Sequence, residues 1–195
     1  MKHPALFIVP AFMLADYFLT LVGEIQRGKK YGDHFKAEHC ELNPIWQKPV
    51  AQRKLFNLRH ILLTLVVTAV LMLLMESDDM PEPFAQGMLG CLLVFFGAII
   101  GRHLSNLLIF RRIAQGPNEI SGQVTMTHAL LLSLSLYQYV VVLIPIALVV
   151  AFSPSPFAIG GLLGVVLLLA VHLGWIRRHT KGRKASDEAN AGNGR

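Results

Sequence analysis

Five long apolar runs leave this chain few folds to choose from. An apolar helix of about 20 residues crosses the hydrocarbon of a bilayer, and runs of roughly 18 or more with few charges read as spans. Such runs lie at about 5–24, 58–76, 84–113, 125–152 and 156–176. Lipid offers no partner for backbone N–H and C=O groups, so each run is a helix or a strand of a closed barrel. Unbroken Leu and Val stretches lack the in/out alternation of barrel strands. The expectation is an all-α integral membrane protein with five transmembrane helices. It forms a single membrane domain over 1–184, with a long connection at 25–57 and a disordered tail at 185–195.

Charge placement sets the expected orientation. Lys and Arg crowd the 25–57 connection, Arg111 and Arg112 follow the third run, and Arg177, Arg178, Lys181, Arg183 and Lys184 follow the fifth. The connections ESDDMPEP and SPSP carry neither. The positive-inside rule then places the N-terminus outside and the C-terminus in the cytoplasm. The net charge of +6 serves as this signal and draws the inner face to anionic lipid head groups. The bilayer is thus the expected partner. Nucleic acid is excluded, because no basic surface is interleaved with aromatic residues. The first run has only Lys2 before it and is interrupted by Asp16, so it reads as a permanent span, not a cleaved signal. Cys40 and Cys91 fall on opposite sides of the membrane, and no disulfide between them is expected.

The polar residues inside the spans carry the functional reading. Asp16, Thr20 and Glu24 recur every fourth residue and share a helix face. An ionisable group at that depth needs a partner or a water-filled cavity. Arg102 and Asn106 stand one turn apart on the third span, with Arg102 at a depth similar to that of Asp16. A buried Asp16–Arg102 pair is the expected way to hold both charges. His128, Ser135 and Gln138 share a face of the fourth span, and His172 lies near the inner end of the fifth. The polar positions gather in the inner half, which implies a pocket open to the cytoplasm. Asp16, Thr20, Arg102, Asn106, His128 and Gln138 line it, and Glu41 with Asn43 form its mouth. Such a pocket binds or conducts a small polar or anionic ligand or a lipid head group, and needs no cofactor. Asp16, His103, His128 and His172 also form a candidate proton or ion path.

Two other classes compete. In a metal-dependent membrane enzyme, a divalent metal would sit on His34, Glu38 and Glu41, with Asp33–Glu41 as a short helix presenting His34 and Glu38 together. In a structural or assembly subunit, the small residues Gly97/Gly101 and Gly160/Gly164 would let other helices approach closely. Serine chemistry is excluded: GRHLSN offers a His and an Asn, but no Gly-x-Ser-Gly follows on a later span. Elsewhere in the connection, Asn43-Pro44 reads as a helix start and Asn57 as the cap of the second span. Arg59 and His60 are expected to reach back to the head groups, and Trp46 and Phe56 to lie at the interface.

Asp16-x-x-x-Thr20 in a first span, followed by Glu41-Leu42-Asn43-Pro44 before a second, resembles a family of small bacterial membrane proteins of unknown function. The resemblance covers the first third of the chain. It implies a protein of the bacterial cytoplasmic (inner) membrane with an Asp/Glu-Asn-Pro site, and it implies no reaction.

Overall fold

The computed structural model describes residues 4–37, 42–43, 46–116 and 120–193, with side chains for all of these except 37 and 181–193. Its elements, in order, are α1 (Ile8–Gln26), α2 (Gly32–His34), β1 (Phe35–Ala37), α3 (Gln47–Ala51), α4 (Leu58–Met75), α5 (Glu82–Gln115), β2 (Val124–Met126), α6 (His128–Phe152) and α7 (Pro156–Asn193). Five helices are long and apolar enough to cross a membrane. The chain is all-α in character and has the architecture of a multi-pass membrane protein.

The first spanning helix is longer than the sequence predicts. A 3-10 turn at Pro4–Phe7 leads into α1, and a π-helical turn at Arg27–Tyr31 joins α1 to α2. Together they make one helix from Pro4 to His34, where the sequence reading ended the span near 24. The 3-10 turn lies just before Pro10, which has no N–H to bond the carbonyl one turn back. The expected helix over Asp33–Glu41 is replaced. The helix stops at His34, and Phe35–Ala37 pairs in parallel with Val124–Met126. Phe35 also stacks on Tyr31 (4.4 Å), and Tyr31 packs on Phe110 of α5 (4.5 Å). These contacts favour an extended backbone at 35–37 over a further helical turn.

The helix start expected at Asn43-Pro44 falls partly outside the described residues. The Trp46 N–H donates to the Asn43 carbonyl (3.0 Å), and α3 begins at Gln47; Pro44 lies outside the described residues. Asn57 does precede α4, but its side chain makes no capping bond. α6 and α7 are capped as their sequences dictate. Thr127 accepts from the Leu130 N–H (3.3 Å), and Ser155, just before Pro156, accepts from the Ala158 N–H (3.1 Å). α7 then continues to Asn193, through the stretch expected to be a disordered tail. Ala185, Glu188, Ala189 and Ala191 are good helix formers, and a helix already nucleated extends through such residues at little cost.

α5 lies at the centre, packed against α1 on one side and α7 on another. α4 rests on α1, while α6 packs on α7 and barely touches α5. The α5–α7 contact is a glycine seam. A methyl on Gly90 would overlap the Phe157 backbone, one on Gly160 the Gly87 carbonyl, and one on Gly164 the Cys91 carbonyl. At Gly101 an added methyl meets nothing within 4 Å, and at Gly97 only the edge of Phe12, at 3.9 Å. Gly160 and Gly164 are therefore used inside the chain, and Gly97 and Gly101 hold no helix in the structure.

Leu6, Val9 and Met13 meet Leu71 and Met75 of α4 and Ala85 and Leu89 of α5 in an apolar core near the Glu76–Glu82 end. A second cluster of Tyr17, Leu21 and Val50, with Trp46 against it, ties α3 to α1 toward the basic end.

Candidate functional site

α1, α5, α6 and α7 bring their polar residues to one level. Asp16 does not meet Arg102 directly. The His103 ring stands between them, with Nε2 at 2.9 Å from Asp16 Oδ1 and 3.3 Å from Arg102 Nη2. The reason is rotation about α5: successive residues point about 100° apart, so when His103 faces α1, Arg102 points toward α6. With its proton on Nε2, His103 donates to the Asp16 carboxylate. Thr20 supports the arrangement. Its hydroxyl donates to the Asp16 carbonyl (2.9 Å), leaving Oγ1 free to accept, at 3.3 Å, from the same imidazole. The expected Asp16–Arg102 pair is thus corrected to an Asp16–His103 pair with the Arg102 guanidinium beside it: Nε2, donating to Asp16, has no lone pair left for Arg102.

Arg102 begins a second chain across the bundle. Nη1 donates to Ser135 Oγ on α6 (2.9 Å), and Ser135 lies 3.2 Å from His172 Nε2 on α7. His172 Nδ1 donates to the Leu168 carbonyl (3.0 Å), which leaves Nε2 as the acceptor. Every donor in this half is fixed by that one carbonyl: Arg102 to Ser135, Ser135 to His172, His172 to Leu168. Ser135 and His172 are both 4% exposed. Tyr139 packs edge-on to His172 (4.9 Å) and lies beneath the guanidinium (5.8 Å to the ring centroid). The Nε of Arg102 is buried without a hydrogen-bond partner among the described residues.

Three cavities meet at Arg102. A central one of about 240 Å³ is lined by Asp16, Asn43, His60, Arg102, His103 and His172. A second, about 500 Å³, lies between α5 and α6 and includes Arg102, Asn106, Ser135 and Gln138. A third, about 480 Å³, extends from Arg102 and Gln138 along Gly101, Ala98 and Gly97. Of the site residues expected from sequence, Asp16, Thr20 and Arg102 come together around His103. Asn106 and Gln138 join Arg102 in the α5–α6 gap, and Asn43 reaches the central cavity.

His128 does not join this cluster. It stacks on His179 (5.3 Å) in a cavity with Arg178 that shares Leu42, Asn43 and Trp175 with the central one but does not reach Arg102. Of the proton path expected through Asp16, His103, His128 and His172, Asp16 meets His103 and His172 meets Ser135, and the Arg102 guanidinium, which keeps its proton, lies between the two pairs. Glu41 lies outside the described residues.

Of the proposed metal ligands, only His34 is among the described residues. His34 Nδ1 donates to the Gly122 carbonyl (3.0 Å), and Glu38 and Glu41 lie outside the described residues. Among the described residues no three His, Cys, Asp or Glu side chains are placed to hold a metal.

His60 is a further correction. It does not reach outward: it is buried, its Nε2 donates to the Met13 carbonyl (3.0 Å), and its ring stacks on Tyr17 (4.9 Å). The Tyr17 hydroxyl in turn donates to the Lys54 carbonyl (2.6 Å). Trp46 packs edge-on against the same imidazole (5.3 Å). These three residues fix α3 and α4 beside the central cavity. The signal for them in the sequence was slight: aromatic residues flanking a basic connection, with nothing to say which would turn inward.

No protein-family model matches the chain, and neither a curated protein nor a solved structure is similar to it.

Proposed function

We propose that this chain is a bacterial cytoplasmic-membrane protein that binds, or passes, a small anionic ligand in a pocket opening to the cytoplasm. Its N-terminus lies outside and its C-terminus inside, as the Lys and Arg distribution favours. The Asp16-x-x-x-Thr20 and Glu41-x-Asn43-Pro44 resemblance supports the bacterial membrane setting. One observation carries the reading. Arg102 sits within a spanning helix, borders three cavities, and has no carboxylate in ion-pair contact among the described residues. Asp16, which lines the central cavity with Arg102, is held by His103. A guanidinium at such depth is costly unless a counter-charge or water reaches it, and an anion supplies both charge and bidentate acceptors. Asn106 and Gln138 add neutral donors at the same wall.

The test is thermal unfolding of the purified full chain with inorganic phosphate, sulfate or acetate. A ligand at about a hundred times its Kd adds roughly 2.7 kcal/mol to stability. At least one anion should raise Tm in a saturable way, and Arg102→Gln should abolish that rise. If no anion acts on the wild type, or if Arg102→Gln responds equally, the reading fails.

A further inference from the structure

The two cavities between α5 and α6 share Arg102, Gln138 and Val141, so they are lobes of one groove. The lobes differ in chemistry. One sets Arg27, Arg102, Asn106 and Ser135 among aliphatic and aromatic side chains; the other is lined by Val94, Gly97, Ala98, Gly101 and Val142 beyond the shared residues, Ser105 and Tyr139, and its only charge is the shared Arg102. The groove also opens sideways. Tyr137 is 61% and Val141 70% exposed on the wall that a surrounding bilayer would face. A free inorganic anion needs neither the apolar lobe nor the lateral opening. Both fit a molecule with an anionic head and an apolar tail.

We propose that the groove takes a single-chain anionic amphiphile, its phosphate or carboxylate on Arg102 and its chain along Gly101 and Gly97. This deepens the anion-binding reading and rests on it. The reach is consistent with such a tail: eight residues separate Arg102 from Val94, about 12 Å along a helix. Glycine matters because it leaves room: a methyl added at Gly101 meets nothing within 4 Å, so a chain can lie directly on the backbone there. α6, packed on α7 and apart from α5, forms the opposite wall. Arg102 supplies the charge complement. Its Nη1 is held by Ser135, and its Nε is buried with no partner among the described residues.

The probes are hexyl phosphate, soluble enough to titrate, and inorganic phosphate, both measured by calorimetry on the full chain in phosphatidylcholine nanodiscs. Each buried methylene tightens binding roughly fourfold, so burial of only two gives more than a tenfold gain. Hexyl phosphate should therefore bind the wild type at least tenfold more tightly than inorganic phosphate. Arg102→Gln should weaken both by at least tenfold. Gly101→Leu places a side chain in the apolar lobe, where its Cβ meets no protein atom within 4 Å. It should erase the advantage of hexyl phosphate and leave inorganic phosphate unchanged, and Tm should confirm that the variant remains folded. If the two probes bind the wild type equally, or if Gly101→Leu keeps the advantage, the amphiphile inference is overturned while anion binding stands. If neither probe depends on Arg102, the anion reading itself falls, and this inference with it.

Discussion

At the scale of single residues, the site is organised by which neighbour each polar group faces. His103 takes the charge of Asp16, and Arg102 is left to face Ser135 and the cavities. Removing one member of a contacting pair removes most of what its partner contributed. Asp16→Asn and His103→Ala should therefore destabilise by amounts that overlap, with a coupling of about 1–3 kcal/mol in a double-mutant cycle read by thermal unfolding. Exchanging Asp16 and Arg102 for each other should recover nothing, because an imidazole separates them. Additive losses for Asp16 and His103 would remove the pair. Ser135→Ala offers a second probe. It strands a donor on Arg102 and the acceptor of His172, a loss of about 1–3 kcal/mol for buried polar groups. If unfolding shows no loss, the link from α6 to α7 is not formed. The need for a partner to Asp16 was legible from its depth alone. The partner's identity was not, because Arg102 and His103 are adjacent in sequence and only the rotation of α5 against α1 decides between them.

The same limit governs the helices as elements. Gly97/Gly101 and Gly160/Gly164 have identical spacing, and a sequence motif treats them alike. A helix that is apolar on all sides does not announce which face meets which neighbour. The structure sets Gly160 and Gly164 against the backbone of α5 at Gly87 and Cys91, and leaves Gly101 open to the groove. The consequences are opposite in sign. Gly90→Ala or Gly160→Ala must push two backbones apart and should cost at least the 1–3 kcal/mol typical of overpacking. Gly101→Ala should be neutral or stabilising by up to about 1 kcal/mol, from helix propensity alone. Equal effects at Gly101 and Gly160 would mean that the seam is misplaced. The β1–β2 pairing was hidden for another reason: three residues per strand are too few to carry an alternation. The spans themselves, long and nearly free of charge, were plain.

For the whole molecule, the number of membrane-length helices among the described residues followed from hydropathy, because a helix satisfies its own polar backbone in lipid and unbroken apolar runs lack the alternation of barrel strands. Orientation rests on a different kind of argument, the cost of translocating Lys and Arg, and it decides what the site is exposed to. Arg111, Arg112, Arg177 and Arg178 lie at one end of the bundle, and Glu76, Asp78, Asp79 and Glu82 at the other. The polar lobe of the groove, with Asn106 and Phe110 in its wall, lies toward the basic end. The proposed ligand therefore comes from the cytoplasm if the basic end is inside, and from the opposite side if it is not. A background in which Cys40 and Cys91 are Ser permits the measurement. Ser77→Cys should react with a membrane-impermeant maleimide in intact spheroplasts. Thr180→Cys, one turn or less beyond Arg177 and Arg178, should react only after lysis. The reverse pattern would turn the groove outward, and an amphiphile reaching Arg102 would then have to come from the outer leaflet.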